Sequence, residues 1–165
     1  MRILAVDDDQ TALDILSSSL QSAGYTNYVT ALSGAQALDE IARAEQPFDI
    51  FLLDIQMPEI DGIELCTKVR AMPAHRSTPI IMITAMAERH FIDGAFAAGA
   101  MDYVNKPFDP IELGVRLSVA ARVVAQNKKI QAAMSEVEYL QLRSGAVASL
   151  DPSEPIEINA IPRVV

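Results

Sequence analysis

Short, almost unbroken apolar runs alternate along the chain with longer stretches in which apolar residues recur every third or fourth position. Residues 2–6, 28–32, 48–53, 80–83 and 103–105 have the length and character of strands. The run 48–53, broken only by Asp49, reads as a strand buried on both faces, whereas 28–32 is weaker and belongs nearer a sheet edge. Between the runs lie helical patterns. Leu13, Leu16 and Leu20 repeat at helical spacing and stop at Gly24, a glycine at the place of a C-terminal cap. Ser33 followed by Gln36 is a capping box, with Leu38 and Ile41 on the apolar face that follows. Asp61 and Glu64 open a third helix with Leu65, Cys66 and Val69 inward, and residues 85–98 form an alanine-rich fourth that closes on Gly99. Asp109 and Pro110 supply a cap and a first helical position for a last helix, expected to run to about Leu142.

Strands that alternate with helices predict an α/β fold whose parallel sheet is covered on both faces and whose crossovers are right-handed. The expected architecture is a flavodoxin-like, doubly wound, five-stranded parallel sheet of order 2-1-3-4-5, with an extended C-terminal helix. That order sets strands one and three side by side at the switch point, where open α/β sheets bind ligands beyond the strands' carboxyl ends. Polar residues gather at just those ends: Asp7, Asp8 and Asp9 after the first strand, Asp54 after the third, Thr84 after the fourth, Lys106 after the fifth.

Carboxylates brought that close repel, so some protonate or a cation binds. Oxygen ligands with no His or Cys beside them suit Mg²⁺, with Asp8 and Asp54 as direct ligands and Asp7 acting through water. Lys106 offers a point charge to a phosphate, Thr84 a hydroxyl and Ala85 a backbone N–H. A carboxylate can itself be a nucleophile towards phosphorus. The cluster therefore reads as a phosphoryl-transfer site with Asp54 as acceptor.

Composition narrows the partners. A net charge of −9 argues against a nucleic-acid surface on this chain. One cysteine, Cys66, excludes an internal disulfide and a cysteine metal site. The apolar run near the N-terminus is too short for a signal peptide or membrane span, so a cytoplasmic location is expected. His75 and His90 lack a partner at metal spacing and are expected in loop or helix surface.

The motifs Val6-Asp7-Asp8-Asp9, Leu53-Asp54-Ile55-Gln56-Met57-Pro58 with Asp61-Gly62, Ile83-Thr84-Ala85, and Asp102-Tyr103-Val104 with Lys106-Pro107-Phe108 occur in one order and spacing. From Met1 to about Arg122 the chain thereby resembles the receiver domain of two-component response regulators. The resemblance implies that Asp54 accepts a phosphoryl group from the phosphohistidine of a sensor histidine kinase or a phosphotransfer protein. It implies Mg²⁺ held by Asp7, Asp8, Asp54 and the backbone carbonyl of Gln56, with Thr84 and Lys106 on the phosphate. It further implies a cis Lys106–Pro107 bond and an aromatic switch at Tyr103 that follows Thr84. On this reading the chain is a phosphoacceptor, not an enzyme, apart from any autodephosphorylation, whose rate Gln56 and Met86 would set.

Two rivals are weighed against it. Asp7-Asp8-Asp9-Gln10-Thr11 also fits the nucleophile motif of haloacid-dehalogenase-like phosphatases, with Asp7 as nucleophile and Asp9 as general acid. That leaves Asp54 without a role, and no later acidic pair or cap insertion follows. The other is a receiver-like interaction module that is never phosphorylated. Beyond a receiver over 1–122, residues 123–142 read as a helical extension and 143–165 as a loosely ordered tail. Ala120, Val123, Asn127, Ile130, Met134 and Val137 repeat at alternating spacings of three and four, a coiled-coil pattern that predicts a homodimer through the last helix.

Overall fold

The structure, a computed structural model, describes residues 1–85 and 89–148, with side chains to 143. The element order is β1 (Ile3–Val6), α1 (Gln10–Ser22), β2 (Tyr28–Ala31), α2 (Gly34–Arg43), β3 (Ile50–Leu53), α3 (Gly62–Ala71), a 3-10 turn (Pro73–His75), β4 (Ile80–Thr84), α4 (Arg89–Ala97), β5 (Asp102–Asn105) and α5 (Pro110–Ala148). The strands form one parallel sheet of order β2-β1-β3-β4-β5, so β2 is an edge and β1 and β3 are neighbours, as the pattern predicted.

The central strands are apolar at every position because both faces are covered. Leu4, Val6, Phe51, Leu53 and Met82 point into one core with Leu65, Cys66 and Val69 of α3. Ile3, Ala5, Ile50, Leu52, Ile81 and Ile83 point into the other, against Leu13, Leu16 and Leu20 of α1 and Leu113, Leu117 and Ala120 of α5. The helix starts follow from their caps. Asp9 accepts from Thr11 N–H, Asp61 from Glu64 N–H and Asp109 from Ile111 N–H. At α2, Ser33 Oγ accepts from Gln36 N–H, while Gln36 Oε1 accepts from the N–H of Leu32, one residue before the Ser33 N–H that a capping box would use. Gly24 (φ +85°) and Gly99 (φ +102°) sit in the left-handed conformation that ends helices.

His75 departs from its expected surface position. It is 3 % exposed, packs edge-on to Phe51 with ring centroids 5.0 Å apart, and pairs with Thr78 Oγ1 at 3.3 Å. Burial, then the neighbouring Arg70 guanidinium, pushes its pKa down and keeps the ring neutral. Arg70 is not a surface charge either. It donates to the carbonyls of Gly99, His75 and Thr78 at 2.6–3.0 Å, tying α3 to the entry of β4 and the turn before β5.

The chain divides into two compact units, Met1–Asn127 and a second that begins at Lys128. Within the first, Ala120 is fully buried, Val124 is buried, and Asn127 Nδ2 donates to Ser77 O at 3.1 Å. Two members of the predicted seam, Ala120 and Asn127, are thus engaged by their own unit. In the second unit, Ile130, Met134 and Val137 are 57, 67 and 53 % exposed. The helix continues to Ala148, past the expected end near Leu142. Met86 and the expected tail beyond Ala148 lie outside the described residues.

Candidate phosphoacceptor site

Sheet register builds the site. Val6 is opposite Leu53, so the residues that follow, Asp7 and Asp54, emerge side by side, and Asp54 N–H donates to Val6 O at 2.8 Å. Thr84 ends β4 opposite Asn105, and its carbonyl accepts from Lys106 N–H at 2.8 Å, which brings Lys106 to the same sheet end. The Lys106–Pro107 peptide bond is cis.

Lys106 Nζ lies 2.5 Å from Asp7 Oδ2 and 3.3 Å from Asp54 Oδ1. Asp7 also accepts from Asp9 N–H at 3.0 Å. Asp7 and Asp54 are buried (3 and 5 % exposed), and Thr84 is fully buried. Asp8 is exposed, yet Asp7, Asp8 and Asp54 each offer a carboxylate oxygen within 4.8 Å of the others'. Ala85 and the Gln56 side chain are exposed.

The charges are unbalanced: three carboxylates share one ammonium. Burial raises the Asp54 pKa to about 6; Lys106 opposes the rise, while Asp7 and Asp8 add to it. Burial works against the Lys106 charge, but the hydrogen bond to Asp7 and the charges of Asp54 and Asp7 outweigh it and hold the ammonium protonated. A carboxylate cluster of this excess charge, all oxygen and open at Asp8, fits a small divalent cation.

The loop 55–61 that carries Gln56 is held at its base by Gly62, whose N–H donates to Ile55 O at 3.0 Å. A Cβ at Gly62 would lie 2.8 Å from the Asp54 carbonyl carbon and 2.9 Å from Ile55 Cα, and closer still to the Asp54 carbonyl oxygen. The helix α3 therefore starts directly against the backbone of Asp54. Beside it, Ile55, Gln56, Met57, Pro58 and Asp61 line a shallow cleft with Phe91 of α4.

Tyr103 is half-buried, packed against the core and edge-on to the exposed Phe96 at 6.1 Å. The site thus brings together Asp7, Asp8, Asp54, Thr84 and Lys106. Asp9 caps α1, its Oδ1 accepting from Thr11 N–H. The direct Lys106–Asp7 pair was not foreseen: residue type suggested only a phosphate partner for Lys106.

The family model for the response regulator receiver domain matches residues 3–118. The chain belongs to the response regulator receiver family. Among curated relatives, the receiver is 34 % identical over 137 residues to the alkaline phosphatase synthesis transcriptional regulatory protein PhoP of Bacillus subtilis, covering 83 % of this chain and 53 % of PhoP. The chain therefore spans about half the length of that relative. Among solved structures, the chemotaxis protein CheY4 of Vibrio cholerae matches with 34 % identity and a TM-score of 0.65, over 74 % of this chain and 97 % of CheY4. The receiver domain of sensor histidine kinase PA1611 from Pseudomonas aeruginosa matches with 31 % identity and a TM-score of 0.65, over 75 % of this chain and 97 % of that one. Its structure has a magnesium ion coordinated in the active site cleft. Among the described residues, no helix of this receiver is long and apolar enough to cross a membrane.

Proposed function

We propose that this receiver takes a phosphoryl group onto Asp54 from the phosphohistidine of a sensor histidine kinase or phosphotransfer protein, and signals through a conformational change. The observation that carries this is the cluster itself: a buried acceptor carboxylate, two more carboxylates within metal-sharing distance, and a lysine reaching both buried ones. An Asp54 oxygen attacks phosphorus and the imidazole nitrogen leaves with the bonding pair, giving an aspartyl phosphate. Asp7, Asp8, Asp54 and the Gln56 carbonyl would hold Mg²⁺, which when bound neutralises charge on the phosphoryl oxygens. Lys106 exchanges part of its contact with Asp7 and Asp54 for a phosphoryl oxygen, and Thr84 Oγ1 and Ala85 N–H donate to others. The residues themselves perform no turnover beyond loss of this group to water, so the chain acts as a phosphoacceptor rather than an enzyme.

A phosphoryl group at Asp54 adds charge and strong acceptors beside Thr84. Drawing Thr84 towards the phosphoryl group opens space that the half-buried Tyr103 fills, which takes it from its edge-on contact with Phe96 and changes the surface of α4, β5 and α5. The experiment is amide exchange with and without beryllium fluoride, a phosphoryl mimic, in the presence of Mg²⁺. Changed protection over residues 89–108 supports the switch, and identical protection contradicts it.

Output runs through contacts with partners or with a second copy in the cytoplasm. The net charge of −9 disfavours nucleic acid on this chain. A homodimer through the last helix is supported by the exposed apolar Ile130, Met134, Val137 and Leu140 of the second unit, side chains that water alone covers poorly. Asn127 would have to give up Ser77 O to meet its twin, so the proposed seam starts at Ile130. Ile130→Asp should return a dimer to monomer mass in light scattering. A wild-type monomer at tens of micromolar, with and without beryllium fluoride, would remove the dimer.

A further inference from the structure

We infer that Gly34, at the start of α2 and outside the acidic cluster, is a positioning residue for the acceptor loop and sets how well that loop serves the metal site. The inference rests on the reading above, in which the Gln56 backbone carbonyl is a magnesium ligand.

The loop 55–61 has few fixed points. Its base is closed by the Gly62 N–H to Ile55 O bond, and its apolar members Ile55 and Met57 are buried. Its crest is unusual. Glu59 has φ +65°, the left-handed region that a residue with a long side chain rarely adopts, and Ile60 N–H donates to Pro58 O at 2.8 Å. A conformation of this kind persists only where the surroundings over-determine it. The surroundings at the crest are Gly34. A Cβ there would fall 2.7 Å from Ile60 Cβ, 2.8 Å from Ile60 Cγ2 and 2.8 Å from Ile60 O. Of these three atoms only the methyl can rotate aside; the Cβ and the carbonyl move only with the loop. Ile60 itself packs on the core that holds Leu65 and Val69, so it cannot simply lift outwards.

The helix start that carries Gly34 is fixed in turn. Ser33 Oγ to Gln36 N–H and Gln36 Oε1 to Leu32 N–H lock the first turn of α2. These two bonds fix the start of α2, Gly34 lets the loop crest seat against it, and the seated crest holds the backbone from Gln56 to Ile60 in place. Magnesium demands near-ideal octahedral geometry and short bonds, so a carbonyl ligand displaced by a few tenths of an ångström is a poor one.

Calorimetric titration of the full chain with magnesium chloride, without any phosphoryl donor, tests this. Gly34→Ala should weaken magnesium binding about tenfold and speed amide exchange over residues 55–62. Gly114→Ala, with nothing within 4 Å of the added methyl, should leave both unchanged. Alanine is the better helix former, so a change confined to helix propensity would leave magnesium affinity alone and raise stability. Should Gly34→Ala fail to fold, Ile60→Ala gives the second arm: it strips the crest of the group that rests on α2 and should weaken magnesium while Gly34 stays. Folded Gly34→Ala and Ile60→Ala that bind magnesium like the wild type overturn this inference only. A wild type that binds no magnesium at millimolar concentration overturns the metal reading and this inference with it.

Discussion

Asp54→Asn is expected to abolish phosphoryl uptake and, in the absence of magnesium, to make the protein more stable at neutral pH. The first effect follows from removing the nucleophile, since an amide oxygen cannot form a stable aspartyl phosphate. The second follows from burial. The Asp54 pKa is raised to about 6 from an ordinary value of 3.8. The fold therefore prefers the protonated carboxyl. Below 3.8 both folded and unfolded chains carry the proton and no cost arises; stability then falls as pH climbs from 3.8 to about 6 and stays low above. A shift of this size is worth at most about 3 kcal/mol. Asn cannot ionise, so a gain of about 1–3 kcal/mol is expected at pH 7, vanishing towards pH 4. Denaturant unfolding at the two pH values measures it. If the cluster holds magnesium as proposed, the ion should then stabilise the wild type and do little for Asp54→Asn, which lacks one of the carboxylates. A variant less stable than the wild type at pH 7 without metal would contradict the charge account of the site.

Gly62→Ala carries the largest expected loss. The added methyl meets the Asp54 carbonyl and Ile55 Cα, all backbone, and none can rotate away. Either α3 moves off the sheet or β3 yields at Asp54. Overpacking a side-chain core costs about 1–3 kcal/mol, and a clash with backbone exceeds that range, so about 4 kcal/mol or more is expected. Phosphorylation should fall at least as steeply as stability, since the displaced residue, Asp54, is the proposed nucleophile. An unfolding midpoint within error of the wild type would show that α3 is seated elsewhere.

The strands, the starts of α2, α3 and α5 and the sheet order were legible because each is written in residue types, whereas α4, expected over 85–98, spans Arg89–Ala97. The caps Ser33, Asp61 and Asp109 are side chains with one local task, and the central strands are apolar throughout because both faces are covered. The site was legible for a related reason: parallel strands in that order put Asp7, Asp54, Thr84 and Lys106 at one sheet end. Other features have no letter to read. Arg70 is held by carbonyls of Gly99, His75 and Thr78, and every residue has a carbonyl. His75 is buried by a 3-10 turn whose place against Phe51 exists only once β3 and β4 pair. Ala120 and Asn127 repeat at seam spacing, yet the sheet beneath α5 and the Ser77 carbonyl take them first, because tertiary contacts outrank a periodicity that two surfaces could satisfy. The closeness of Gly34 to Ile60 is a matter of backbone approach, invisible until both are placed.

Chemical trapping identifies the phosphorylated residue. The full chain is incubated with magnesium and a small acyl phosphate, then reduced with borohydride, which converts an aspartyl phosphate to homoserine, and the peptides are sequenced by mass spectrometry. The account predicts homoserine at position 54, dependent on magnesium and missing from Asp54→Asn. Homoserine at position 7, or none in the wild type under any donor, would contradict it.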